Sequence, residues 1–196
     1  MKPGPEKQFD TDVALTAAME VFWARGYEAA SLSELIRRMG IGKKSLYDTF
    51  GNKRALFLQA LELYSEKVAS EIEQRLKREG SAFGNLVELL DLWADQHSNP
   101  GSVGCLIGNN VADFDTNDEQ VAAILAQKLR HMEGIFFDVL NQARKDNEVR
   151  ADLNVSEAAK MLVCLTQGLA LVGRVQRSDE VLKGTVRSAI SLLKPS

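Results

Sequence analysis

The sequence predicts an all-α fold, and three observations carry that prediction. Apolar residues recur with a helical period along the whole chain. No long stretch alternates apolar and polar residues with the period of two that a strand needs. Proline occurs only four times, and the glycines fall mostly between the periodic segments. With 45% hydrophobic residues in a chain of 196, a substantial core can be buried.

Taken in order, residues up to Gln8 read as a tail. A first helix is expected over Asp10–Arg25, with Ala14, Ala17, Val21 and Phe22 turned inward and Gly26 in the left-handed position past its end. Ser31 and Glu34 have capping-box spacing for a second helix ending near Met39, with Gly40 as its stop. A third helix follows Gly42 and ends near Phe50. Gly51-Asn52 interrupts the chain, and a long fourth helix runs from about Lys53 to Glu79. Gly80-Ser81 closes it and opens a fifth over Ala82–His97. Ser98–Ser102 reads as a turn, followed by a short helix over Cys105–Ala112. Thr116 and Glu119 again have capping-box spacing, for a helix reaching Asn147. The last two helices are expected over Val155–Val175 and Asp179–Leu193, with Asn154 and Ser178 as N-caps. The chain divides into an N-terminal domain over 1–52 and a C-terminal domain over 53–196.

The net charge of −3 argues against a chain that coats nucleic acid, but its distribution is uneven. Up to Leu58 there are nine Lys/Arg against seven Asp/Glu, and beyond it fifteen against twenty. Screening limits each charge to about 10 Å in physiological salt, so the local excess is what a phosphate feels. Two cysteines are too few for a disulfide framework and fit a reducing, cytoplasmic compartment. The N-terminus has no apolar h-region. The uncharged apolar run between Lys160 and Arg174 is shorter than the roughly 20 residues of a membrane span, so no membrane role is expected.

The segment Ser31–Phe50 carries the most information. In its second helix Leu46 and Phe50 share one face, and Leu35, Ile36 and Met39 of the preceding helix supply its packing partners. Ile41, just before the cap position Gly42, has hydrophobic-staple spacing to Leu46, which sets the angle at which the helix leaves the turn. The opposite face then holds Lys43, Lys44, Tyr47 and Asp48, flanked by Ser45 and Thr49. A recognition helix reads base edges with its N-terminal residues while the helix before it crosses the backbone, which adds Ser31 and Ser33. Lysine donates to guanine or to phosphate, tyrosine to phosphate, and aspartate accepts from cytosine. Lys53, opening the fourth helix, would hold a phosphate together with the free N–H groups there.

With these features in place, Phe9–Phe57 resembles the N-terminal DNA-binding domain of the TetR family of bacterial transcriptional regulators. The resemblance rests on Phe22, Gly26-Tyr27, Ser31, Met39-Gly40-Ile41, Leu46-Tyr47, Phe50, Lys53 and Ala55-Leu56-Phe57. It covers about a quarter of the chain. Two positions depart from the family's usual pattern: Gly42 stands where Ser or Thr often caps the third helix, and Lys44 where a small residue is usual. The operator sequence therefore cannot be borrowed from a relative.

The resemblance implies a homodimer that binds a double-stranded, roughly palindromic DNA operator, usually as a repressor. Two-fold symmetry would place the recognition helices about 34–36 Å apart on successive major-groove faces. It further implies that the last two helices pair with the partner's, through Leu165, Gly168, Leu169 and Val172 of one and Val186 and Ile190 of the other. A small-molecule effector would bind the C-terminal domain, where Trp93, His97, Cys105, Asn109, Phe136 and Gln167 interrupt otherwise apolar helices. Gly104-Cys105-Leu106 also occurs in some relatives, in a few of which the cysteine senses oxidants or electrophiles, so a redox or electrophile sensor acting through Cys105 is the alternative. An enzyme using Cys105 as nucleophile and His97 as base is disfavoured, because only one other histidine, His131, exists and no phosphate loop or metal-ligand cluster accompanies them. The acidic run Asp113, Asp115, Asn117, Asp118 is not a calcium loop: the sixth position lacks glycine and Ile124 stands where glutamate is needed. No cofactor is expected.

Overall fold

The computed structural model describes residues 9–113, 118–176 and 178–195. Among them are nine helices and no strand: α1 Thr11–Arg25, α2 Leu32–Met39, α3 Lys43–Phe50, α4 Lys53–Leu76, α5 Ala82–Ser98, α6 Leu106–Asp113, α7 Glu119–Lys145, α8 Val155–Val172 and α9 Asp179–Leu193. They fall into two compact units that meet in sequence at Glu66 and Lys67. The division thus lies inside α4, not at its start, where the sequence-based boundary of 52/53 was drawn. The first half of α4 sends Leu56, Phe57, Ala60, Leu61 and Tyr64 into buried positions. Phe57 meets Phe22 edge-on at 5.2 Å, and Tyr64 meets Trp23 at 5.1 Å. A helix start is visible in sequence, but the core that its apolar residues join is not.

Side-chain caps set most helix starts. Asp10 accepts from the N–H groups of Asp12 and Val13, Ser81 from Gly84, and Asn154 from Glu157. For α7 the cap is Asp118, which accepts from Val121 at 3.1 Å; Thr116, expected in that role, lies outside the described residues. Ser178 occupies the N-cap position of α9 without a side-chain cap bond. In α1 the inward stripe is Ala14, Ala18, Val21 and Phe22, and Ala17 is only half-buried. Gly26 has a positive φ of 76° but an extended ψ of 169°, so it turns the chain without the left-handed cap.

In the second unit α7 packs chiefly on α8 and α5 chiefly on α9, with α5 also against α7 and α8. Leu86, Leu90, Phe136, Leu140, Leu162 and Val186 are fully enclosed there. α4 stops at Leu76, short of the expected Glu79. The buried amide of Asn85, on α5, donates to the carbonyls of Leu76 and Arg78 and so satisfies groups a helix end leaves open. α8 stops at Val172, short of Val175, where the tail of α5 crosses closely. A Cβ at Gly173 would lie 2.6 Å from the carbonyl oxygen of His97.

Candidate nucleic-acid interface and effector cluster

The turn between α2 and α3 is built by the backbone. Gly40 adopts φ 64°, ψ 28°, the left-handed conformation that glycine enters without a Cβ penalty. Its N–H donates to Arg37 O, and the N–H of Ile41 donates to Ile36 O at 3.3 Å, the paired bonds of a Schellman stop. Ser31 Oγ accepts from the Glu34 N–H at 3.1 Å, while the Glu34 carboxylate lies 3.6 Å from Arg25. Ile41 and Leu46, the staple pair, are both buried. Leu35, Met39 and Phe50 are buried as well, with Ile36 half-buried. α3 is therefore anchored on one face only.

Its other face is open. Lys43, Lys44 and Asp48 are exposed, Tyr47 is 45% exposed, and Ser45 and Thr49 are half-buried at the flanks. Neither lysine has a hydrogen-bond or ion-pair partner among the described residues. Ser31 and Ser33, both exposed, share a hydroxyl–hydroxyl contact of 3.1 Å at the start of α2.

Charge at the helix starts singles out this region. The N-terminal end of a helix dipole favours acids. α1, α2, α7, α8 and α9 carry Asp or Glu in their first turn. α3 and α4 carry none, and open instead on Lys43-Lys44 and on Lys53-Arg54. Cations at those two starts oppose the dipole, so they do not serve the stability of their own helices. A duplex phosphate placed there would satisfy both the cations and the open N–H groups. Asn52 does more than interrupt the chain: it caps α4 by accepting from the Ala55 N–H at 2.9 Å. The Lys53 ammonium is not free: it donates to the Glu28 carbonyl at 3.3 Å and stands 4.6 Å from the centre of the Tyr27 ring.

In the second unit the six effector candidates occupy different settings. Phe136 is fully buried and Trp93 meets it edge-on at 6.4 Å, which makes both part of the core. The half-buried His97 ring lies 3.2 Å from Ser102 Oγ, and burial holds its pKa below the usual histidine value. Cys105 is 8% exposed and immediately precedes α6, where its carbonyl accepts from the Asn109 N–H. Asn109 donates to Val103 O and accepts from Arg174 at 3.2 Å. Arg174 is a member of this cluster that sequence reasoning missed, being 65 residues from its partner. Gln167 donates weakly to Met132 Sδ, while its buried carbonyl oxygen has no partner among the described residues. None of the six lines the surface groove of about 390 Å³ bounded by Glu73, Leu76, Lys77, Ala82, Ile135, Asp138, Val139 and Gln142.

The proposed pairing residues also separate into two groups. Leu169, Val186 and Ile190 are buried in the unit's own core, so their apolar surface is already covered. Leu165 is half-buried against the same core. Val172 is 43% exposed, and a Cβ at Gly168 would meet nothing within 4 Å. The exposed apolar residues beside them are Leu171, Val175, Val181 and Leu192. By length and composition α8 is apolar enough to cross a membrane, and its exposed side contributes to that apolarity along with its buried one.

Residues 14–60 match the model of bacterial regulatory proteins of the tetR family, and residues 82–189 match that of the tetracyclin repressor-like C-terminal domain. The chain is 30% identical to the uncharacterized HTH-type transcriptional regulator YezE of Bacillus subtilis (strain 168), over 97% of this chain and 99% of that one. It is also 30% identical to the HTH-type transcriptional repressor ComR of Escherichia coli (strain K12), over 91% and 86% of the two chains. A solved structure of the TetR family regulator CifR, a cysteine mutant complexed with 26bp double-strand operator DNA, superposes with a TM-score of 0.84 at 29% identity, covering 95% of this chain and 98% of that one.

Proposed function

The chain belongs to the TetR family of DNA-binding transcriptional regulators, and from that premise we propose that it acts as a dimeric repressor released from a palindromic operator by a small-molecule effector. The observation that carries the DNA-binding part is the pair of helix starts, α3 and α4, that present lysines where five other helices present acids. Lys43 and Lys44 reach base edges or phosphates from the N-terminal end of α3, Tyr47 and Asp48 follow along the same exposed face, and Lys53 serves a phosphate. The flanking Ser31, Ser33, Ser45 and Thr49 hydroxyls add backbone contacts that position the helix without reading sequence.

The second copy covers the exposed apolar face of α8 and α9. Leu171 and Val172 of α8 with Val181 and Leu192 of α9 supply that surface, Val175 adds to it from the turn between them, and the open space at Gly168 admits close helix approach. Two-fold symmetry then makes the operator palindromic, with half-sites about one helical turn apart. Relief of repression requires an effector that binds the DNA-incompetent state more tightly than the competent one. Inverting a 1:99 population needs about a 10⁴-fold preference, which sets the scale the effector must reach. The polar contacts of His97, Asn109, Gln167 and Arg174 among otherwise apolar helices support placing that ligand in the second unit.

Genome-wide footprinting of the purified protein on its host DNA tests this reading. The expected result is protection of a two-fold symmetric sequence beside a regulated gene, lost on addition of one class of small molecule. Absence of any protected sequence at low ionic strength would overturn it.

A further inference from the structure

Lys53 poses a physical problem that the DNA-binding reading alone does not solve. A lysine side chain has four rotatable carbons, and ordering it against a phosphate costs conformational freedom at the moment of binding. It also sits at the positive end of the α4 dipole with no acid in that turn to hold it. Yet its ammonium has a defined place. It stands 4.6 Å from the centre of the Tyr27 ring, within cation–π range, and donates to the Glu28 carbonyl at 3.3 Å. The ring itself is fixed: its centre lies 4.9 Å from that of Phe57 and 6.2 Å from that of Phe22, and both phenylalanines are fully buried. The turn after α1 thus grips the first residue of α4 through an aromatic face.

We propose that Tyr27 is a positioning residue for DNA binding, holding the Lys53 ammonium in place at the start of α4 before the duplex arrives. The inference rests on the reading of Lys53 as a phosphate contact. An ammonium has three donor hydrogens; the Glu28 carbonyl takes one, the ring faces the charge, and the remaining donors are left for a phosphate oxygen. Pre-placing one rotamer-rich side chain corresponds to about a twofold to tenfold gain in affinity. Because the contact is to phosphate, the gain applies to any duplex, so the test needs no known operator.

The test measures binding of the full-length protein to a duplex of random sequence over a range of salt concentrations, in wild type, Lys53→Ala, Tyr27→Met, Tyr27→Phe and the Lys53→Ala/Tyr27→Met double variant. Lys53→Ala lowers the salt slope by about 0.9, the value for one phosphate contact; no change in slope would remove the reading on which the proposal rests. Tyr27→Met weakens binding about twofold to tenfold when Lys53 is present and leaves it unchanged when Lys53 is already alanine. Tyr27→Phe, which keeps the ring, retains wild-type affinity. An equal loss from Tyr27→Met in both backgrounds, or a loss from Tyr27→Phe matching that of Tyr27→Met, would overturn the proposal, since Tyr27 would then act through the fold or through its own hydroxyl. If Tyr27→Met does not fold, the wild-type protein still decides the first half. Proton resonances of the Lys53 ε-methylene must be displaced upfield by the Tyr27 ring in the DNA-free protein, and undisplaced resonances would mean that the ammonium is not held.

Discussion

α3 and α8 are both helices with one buried and one open side, and what they leave open differs in kind. α3 buries Leu46 and Phe50 and exposes Lys43, Lys44, Tyr47 and Asp48. α8 buries Leu162, Val163, Thr166 and Leu169 and still exposes Leu171 and Val172. In both, what marks function is surface that the chain's own packing leaves without an explanation. On α3 the excess is charge at the wrong end of a dipole, which suits a polyanion. On α8 the excess is apolar area, which suits another protein surface. The kind of residue left over names the class of partner.

The sharpest way to break that comparison is to place charge on the open face of α8. Leu171→Asp with Val172→Asp should convert the dimer to monomers in sedimentation and weaken operator binding about a hundredfold, through loss of the second half-site. A variant that stays dimeric would remove the pairing role assigned to that face. The contrasting change, Leu169→Asp, puts a carboxylate into the unit's own core and should unfold the protein. On α3 the equivalent test is Lys43→Glu. Aligning charge with the dipole should stabilise the fold by about 0.3–1 kcal/mol in urea titration. The same change should cost DNA binding more than the about 1–3 kcal/mol expected for simple truncation of a base contact. A variant that loses stability and keeps binding would show that Lys43 serves the fold.

Smaller effects refine the picture of the second unit's interior. Burial lowers the His97 pKa, so between the folded value and the ordinary value of about 6.5 the unfolded chain binds the proton and the native one does not. Stability contributed by neutral His97 is therefore present above about 6.5 and declines as the pH falls through that window. Urea midpoints taken stepwise from neutral to mildly acidic pH should decline more steeply for wild type than for His97→Gln. The smallest change expected is at Gly42, the N-cap of α3, which has φ −78° and makes no side-chain cap bond. A Cβ there would come no closer than 4.0 Å to Ser45 Oγ, so Gly42→Ser fits and should add a few tenths of a kcal/mol. Thermal melting measures that gain, and no gain would mean that the serine hydroxyl does not reach the open N–H groups.

The charged, open face of α3 was legible because its signals are local and exposed. The surroundings of the effector candidates were not, because a ligand contact and a core contact draw on the same residues. Phe136 and Trp93 interrupt their helices as a binding site would, and the fold uses them as packing. Arg174 gave no sign at all, since its partner Asn109 lies on α6, 65 residues away in sequence. On α8 the period of 3.6 identified an apolar helix, but with apolar residues on several sides it did not say which stripe turns inward. Leu169 and Val172, three residues apart, ended on opposite sides of that decision.

By itself the sequence determined where most helices start and which face of α3 carries charge, because caps, glycine turns and helical period act within about four residues of one another. Only the tertiary structure decided that the first half of α4 belongs to the N-terminal core, that Lys53 rests on Tyr27, and that Val186 and Ile190 are covered while Leu192 is not. Those outcomes depend on which apolar faces meet, and burial rewards total area removed from water without regard to distance along the chain.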